Sequence, residues 1–127
     1  MSLTTKSSTA FGTPPLNGPS ITPLMTKSLA WMAVETMIAR QITYFSAREK
    51  DLDKRCDIEA GMAKLLAARV AWSNADNAVQ IHGGTGYFAP TIAERLYRDA
   101  KLTEIYEGTS EIQRLVISRA LIDGANS

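Results

Sequence analysis

Cysteine and histidine are nearly missing from this chain of 127 residues: Cys56 and His82 stand alone of their kinds. A single thiol cannot close an intramolecular disulfide, and with one imidazole it falls short of the ligand set of a structural zinc site. No metal site is expected. Flanked by Arg55 and Asp57, whose charges act on a thiol in opposite directions, Cys56 reads as an inert loop or helix-cap residue. Excess charge is missing too. Fourteen basic and thirteen acidic residues leave a formal charge of +1 and are scattered along the chain, which excludes nucleic acid and an anionic membrane surface as main partners. No apolar run approaches the ~20 residues that a membrane helix needs. The first twenty residues lack the apolar core of a signal peptide, so a cytoplasmic protein is expected. Strict two-residue alternation of apolar and polar side chains is absent, and no strand is predicted.

What is present is helical. With 45% hydrophobic and 21% charged residues, the chain has the size and chemistry of one globular core. Residues 1–19, rich in Ser, Thr, Pro and Gly, form an extended or disordered leading segment, and residues 20–127 a helical bundle. Thr22-Pro23 supplies a cap and a first-turn proline for a helix of some seven turns, with Trp31 on its apolar side. Glu49 to Asp57 reads as a charged connector, and Asp57 as the cap of a second, alanine-rich helix that carries Trp72 toward the core and reaches Val79. Pro90, with Thr91 and Glu94 in capping-box spacing, announces a third helix. Its Glu94/Arg98 and Arg95/Asp99 pairs, four residues apart, read as a solvated ladder. Ser110 and Gln113 stand in the same spacing and open a fourth helix, which should stop at Gly124. Four helices and three connections predict an all-α, antiparallel up-and-down four-helix bundle.

Two glycine-bearing segments carry the chemistry. Gln80-Ile81-His82-Gly83-Gly84-Thr85-Gly86-Tyr87 places three glycines in four positions after the alanine-rich helix. Such a loop ends a helix for conformational reasons, and it also bares amides that suit a phosphate or a flat polar cofactor. It is not the dinucleotide fingerprint, since no strand precedes it and the spacing differs. The second segment, Ile105-Tyr106-Glu107-Gly108-Thr109-Ser110-Glu111-Ile112-Gln113-Arg114, sets a carboxylate on a glycine hinge ahead of a helix start. Glu107 is either a candidate base held on a fixed loop or a charge that complements the positive end of the helix dipole.

In order, AVQIHGGTGY, AERLYRDAK and IYEGTSEIQRLVISRALI closely resemble the carboxy-terminal helical domain of the acyl-CoA dehydrogenase family. FGTPPL at residues 11–16 resembles the family's FGxPL segment, and EAGMAKL at residues 59–65 its AAMAKL helix. The resemblance implies an FAD-dependent oxidoreductase of fatty acid metabolism that introduces a double bond between the α and β carbons of an acyl-CoA thioester, with electrons passing to an electron-transferring flavoprotein. Glu107 matches the base that removes the α proton, and Tyr106 and Gly108 match substrate-contacting positions. Thr109, Ser110 and Glu111 match FAD-contacting positions. So do Gln80, Ile81, His82, Gly83 and Gly84, in a loop that in the family often serves the flavin of a neighbouring subunit. A bundle that buries large faces against two other domains exposes apolar surface when alone, so a homo-oligomer, dimer or tetramer, is expected. His82 is then a cofactor-contacting or packed ring rather than a base.

No segment corresponds to the family's amino-terminal helical or central β domain, and no arginine precedes Phe11 where the family meets the FAD pyrophosphate. Two expectations of different class follow. In one, the chain works as part of a dehydrogenase whose missing domains come from a companion polypeptide, and is inactive without them. In the other, it is a non-catalytic bundle of that ancestry that mediates self-association.

Overall fold

The computed structural model describes residues 22–125, whose regular structure is entirely α-helical, with no strand among them. Phe11–Leu16 and the rest of the leading segment lie outside the described residues. Thr22 opens α1 (Pro23–Asp51) as the sequence predicts: its hydroxyl accepts from the Met25 amide at 3.3 Å, and Pro23 fills the first turn, where no amide donor is needed. The helix runs through Glu49, into the predicted connector. It stops where Asp53 turns to φ 55°.

Helix α2 (Asp57–His82) begins without a side-chain cap. Cys56 holds the cap position, and the predicted cap, Asp57, is taken by Arg55, whose Nε donates to Oδ2 at 2.7 Å. The glycine run beyond α2 contains a single helical turn, α3 (Gly84–Tyr87), before α4 (Ile92–Thr103) and α5 (Ser110–Ala125). Gly124 lies inside α5 rather than ending it. At the start of α4 the cap position is Thr91, as predicted, but its hydroxyl turns back to the Gly86 and Phe88 carbonyls and leaves the helix amides uncapped.

The bundle is organised on α2. Helices α1, α4 and α5 each pack on it, and among the described residues they do not pack on one another. Asn74 Nδ2 donates to Thr36 Oγ1 between α2 and α1. Trp72 lies against Tyr97 of α4 with ring centroids 4.5 Å apart. Gly61 faces Gln113 and Ile117 of α5. Because α4 covers the later part of α2 and α5 the earlier part, the two lie in succession along one rod.

Alanines let the rods come close. Among the described residues the buried apolar ones are Ala39, Ala63, Ala68, Val70, Ala75, Ala93 and Ala100, so helix backbones approach without large side chains between them. The consequence is a thin core. Among the described residues twenty large apolar side chains are exposed, including Trp31 at 57%, which the sequence placed in the core. Its helix has one neighbour only, so most of its girth has nothing to pack on. Such an apolar surface is what a domain presents when it is built to be covered.

Candidate active site

Glu107 and Gly108 both take positive φ, 54° and 92°. For glycine this is unstrained. For a glutamate the left-handed region costs roughly 1–2 kcal/mol, and that cost persists only where surrounding structure imposes it. The Glu107 side chain is exposed and no group among the described residues bonds its carboxylate. The amides of Glu107, Gly108 and Thr109 likewise find no acceptor among the described residues. An unbonded carboxylate beside three successive N–H groups without acceptors offers a base and hydrogen-bond donors to the same polar ligand. Tyr106 stands next to it, 46% exposed.

The loop is closed from behind. Ser110 N donates to Glu104 O at 3.1 Å, pinning the start of α5 to the end of α4. The cap of α5 is Thr109 and not Ser110: Thr109 Oγ1 accepts from the Ile112 amide at 3.3 Å, while Ser110 is buried. The serine/glutamine spacing marked the right helix end and the wrong cap, because Gln113 is drawn inward between Gly61 and Gly108. Glu111 is held below the ordinary carboxylate range by its own backbone amide and by the Thr109 hydroxyl. In this folded arrangement Glu111 acts on its own helix start.

The glycines of the other segment have separate reasons. Gly83 combines φ 59° with ψ −143°, a conformation open essentially to glycine alone, and so ends α2. Gly86 is buried, and a Cβ there would lie 2.6 Å from His82 Cβ and 2.9 Å from the Val79 carbonyl oxygen. Gly84 has no such need. It is exposed, its φ is not positive and nothing lies within 4 Å of an added Cβ, so its main chain stays open to an outside group. His82 Nδ1 lies 2.7 Å from the Ala78 carbonyl, which can only accept; Nδ1 therefore carries the proton there, and Nε2 has no partner among the described residues. Gln80 is exposed and Ile81 half-buried.

The two segments do not meet. The Glu107 loop is tied to α2 at Lys64, and the glycine turn follows His82, about 27 Å further along the helix at 1.5 Å per residue. One compact pocket cannot hold both within one chain. Sequence reasoning missed Lys64, whose Nζ donates to Thr103 O at 2.9 Å and Gly108 O at 2.7 Å. A lysine on an otherwise alanine-rich helix face was the available signal.

The sequence model of the acyl-CoA dehydrogenase C-terminal domain matches residues 4–122. Over 101 residues the chain is 57% identical to (2S)-methylsuccinyl-CoA dehydrogenase of Cereibacter sphaeroides, an alignment covering 80% of this chain and 18% of that protein. It is 51% identical over 94 residues to the mitochondrial short-chain specific acyl-CoA dehydrogenase of Rattus norvegicus, covering 74% and 23%. Among solved structures, butyryl-CoA dehydrogenase from Megasphaera elsdenii superposes with a TM-score of 0.77 at 37% identity, over 92% of this chain and 30% of that one. The chain thus spans about a fifth to a quarter of the length of these curated relatives.

Proposed function

From the premise that the chain belongs to the acyl-CoA dehydrogenase family, as its C-terminal domain, we propose that it supplies the proton-removing half of an FAD-dependent dehydrogenation of acyl-CoA thioesters. The observation that carries the proposal is the strained, unpartnered Glu107 beside three open amides. In the proposed reaction the Glu107 carboxylate takes the α proton. The thioester carbonyl gains negative charge as that proton leaves and accepts from the open amide of Glu107, which needs no rearrangement to receive it. Gly108, without a side chain, lets the acyl chain lie along the backbone, with Tyr106 beside it. The β hydrogen would leave as hydride, for which bound FAD would supply the oxidising chemistry.

The residues fit that cofactor. Gly83 and Gly84 bare a main chain that a polar group can approach, Gln80, Ile81 and His82 flank it, and Thr109 offers an open amide at the helix start beside Ser110 and Glu111. A separation of about 27 Å between the two segments leads us to assign them to different flavins, or to distant parts of one, in a homo-oligomer. Water must be excluded for a carboxylate to act on so weak an acid, and the exposed Glu107 has no outer wall among the described residues. That wall, and most of the flavin site, belong on this reading to further domains or to a companion chain. An electron-transferring flavoprotein is the proposed acceptor, fatty acid metabolism the setting and the cytoplasm the compartment. No helix among the described residues is long and apolar enough to cross a membrane.

The test is reconstitution. Mixed with FAD, an acyl-CoA and a polypeptide supplying the remaining domains of the family, the chain is expected to bleach the flavin on acyl-CoA addition. Intact assembly without bleaching counts against the proposal.

A second reading, a non-catalytic self-associating bundle, draws on the outer face of α1. Trp31, Ile38 and Phe45 recur there every seven residues, continued by Leu52, and are exposed by 57, 52, 50 and 63%. Under either reading the chain sediments as a dimer or tetramer, and Ile38→Glu shifts it toward monomer by placing a charge in the covered seam. A strictly monomeric wild type at high concentration would contradict both.

A further inference from the structure

We infer that Lys64 is the positioning residue of the Glu107 loop, an ammonium on α2 that grips two carbonyls of the α4–α5 connection and so holds Glu107 in its left-handed backbone. Its catalytic meaning rests on the proposed role of Glu107; its geometry does not. The bond to Thr103 O, 2.9 Å, reaches 39 residues along the chain, and the bond to Gly108 O, 2.7 Å, reaches 44. Both are charge-assisted and therefore roughly twice as strong as neutral hydrogen bonds. Thr103 is the last residue of α4, where carbonyls lack helical partners and the helix dipole is negative. Gly108 O is the carbonyl immediately following the candidate base.

Around these bonds the loop has a built floor. Gly61, one turn before Lys64 on α2, leaves room for the Gln113 side chain, whose Oε1 lies 3.1 Å from where a Gly61 Cβ would stand. The same amide group presses on Gly108, its Nε2 being 2.5 Å from where a Cβ there would stand. Glu107 thus projects outward from a turn that is backed by Gln113 and gripped by Lys64. Among the described residues no other side chain bonds a main-chain atom of residues 104–109, and the Ser110–Glu104 bond closes the loop from within. The Glu107 carboxylate bonds to nothing among the described residues, and Lys101, in the last turn of α4, is engaged by Glu104 at 2.6 Å. In a free loop the Glu107 backbone would relax out of positive φ. An ammonium suits the task because it directs separate donors to two carbonyls, which a planar guanidinium fork does less well.

The Ser110 amide, bonded to Glu104 O, reports loop opening by hydrogen exchange, and the amides of Leu66 to Val70 report the fold. In Lys64→Met, Ser110 exchange is expected to rise about tenfold or more, the loss of bonds to a charged donor, with the Gly108 carbonyl carbon resonance shifted and the α2 amides unchanged. Lys64→Arg, which still donates, is expected to recover part of the protection. Unchanged Ser110 exchange in Lys64→Met overturns the inference, and so does a parallel loss at Leu66 to Val70, since Lys64 would then hold the fold and not the loop. In the reconstituted enzyme Lys64→Met lowers the rate at saturating acyl-CoA with KM little altered; the reverse split also overturns it. If Glu107→Gln kept turnover while Lys64→Met opened the loop, the base assignment would fall and the grip would stand.

Discussion

Replacing Glu107 by glycine is expected to stabilise the chain while ending α-proton removal. At φ 54° the glutamate backbone carries a cost of roughly 1–2 kcal/mol, which glycine escapes. Against this, glycine gives the unfolded chain extra freedom, worth about 0.4–1 kcal/mol. The side chain makes no bond among the described residues that would be lost. A net gain between nothing and about 1.6 kcal/mol follows, at most a rise of several degrees in Tm for a domain of this size. Glu107→Gln keeps the shape and the strain, so its Tm should match wild type within the roughly 0.5 kcal/mol typical of surface changes. In the reconstituted enzyme Glu107→Gln should slow flavin bleaching by about 10²- to 10⁴-fold, the usual contribution of a positioned base. A stability gain joined to loss of activity marks a residue kept for chemistry. A Glu107→Gly chain less stable than wild type would mean that the carboxylate has a structural partner and that the base assignment is unfounded.

The second large effect separates the glycines of the other segment. Gly86→Ala puts a methyl group 2.6 Å from His82 Cβ and 2.9 Å from the Val79 carbonyl. Both belong to the last turns of α2 and neither can rotate aside. Overpacking of this kind costs about 1–3 kcal/mol, and it is passed to α4 because Thr91 bonds to Gly86 O. Urea denaturation should show that loss. Gly84→Ala meets open space at an ordinary φ and should leave stability within about 0.5 kcal/mol of wild type. If a cofactor lies against this main chain, Gly84→Ala should nonetheless weaken FAD binding to the reconstituted oligomer, about tenfold or more for a steric intrusion of one methyl group. An FAD affinity untouched by Gly84→Ala would remove the glycine turn from the cofactor site.

Local signals were legible wherever the responsible atoms are close in sequence. The Thr22-Pro23 start and the helix beginning at Ser110 are set by residues within one turn of the helix end. So is the positive φ at Gly83. Cap identity was less legible, because competing partners decide it. Asp57 is diverted by Arg55, the Thr91 hydroxyl by carbonyls behind it, and Gln113 by the space at Gly61, half the chain away. Trp31 was misplaced for a related reason: periodicity says which face is apolar, not whether a neighbour covers it.

The order and type of the main helices and the carboxylate on a glycine hinge are properties of the chain itself, since each depends on residue identity and short spacing. Only the folded arrangement decided that α2 is the rod on which everything rests, that the two glycine segments sit far apart along it, and that Lys64 reaches 44 residues to hold the loop of Glu107. Those are long-range facts. They depend on which alanine faces meet and how closely, and no local pattern encodes the distance between two segments that never touch.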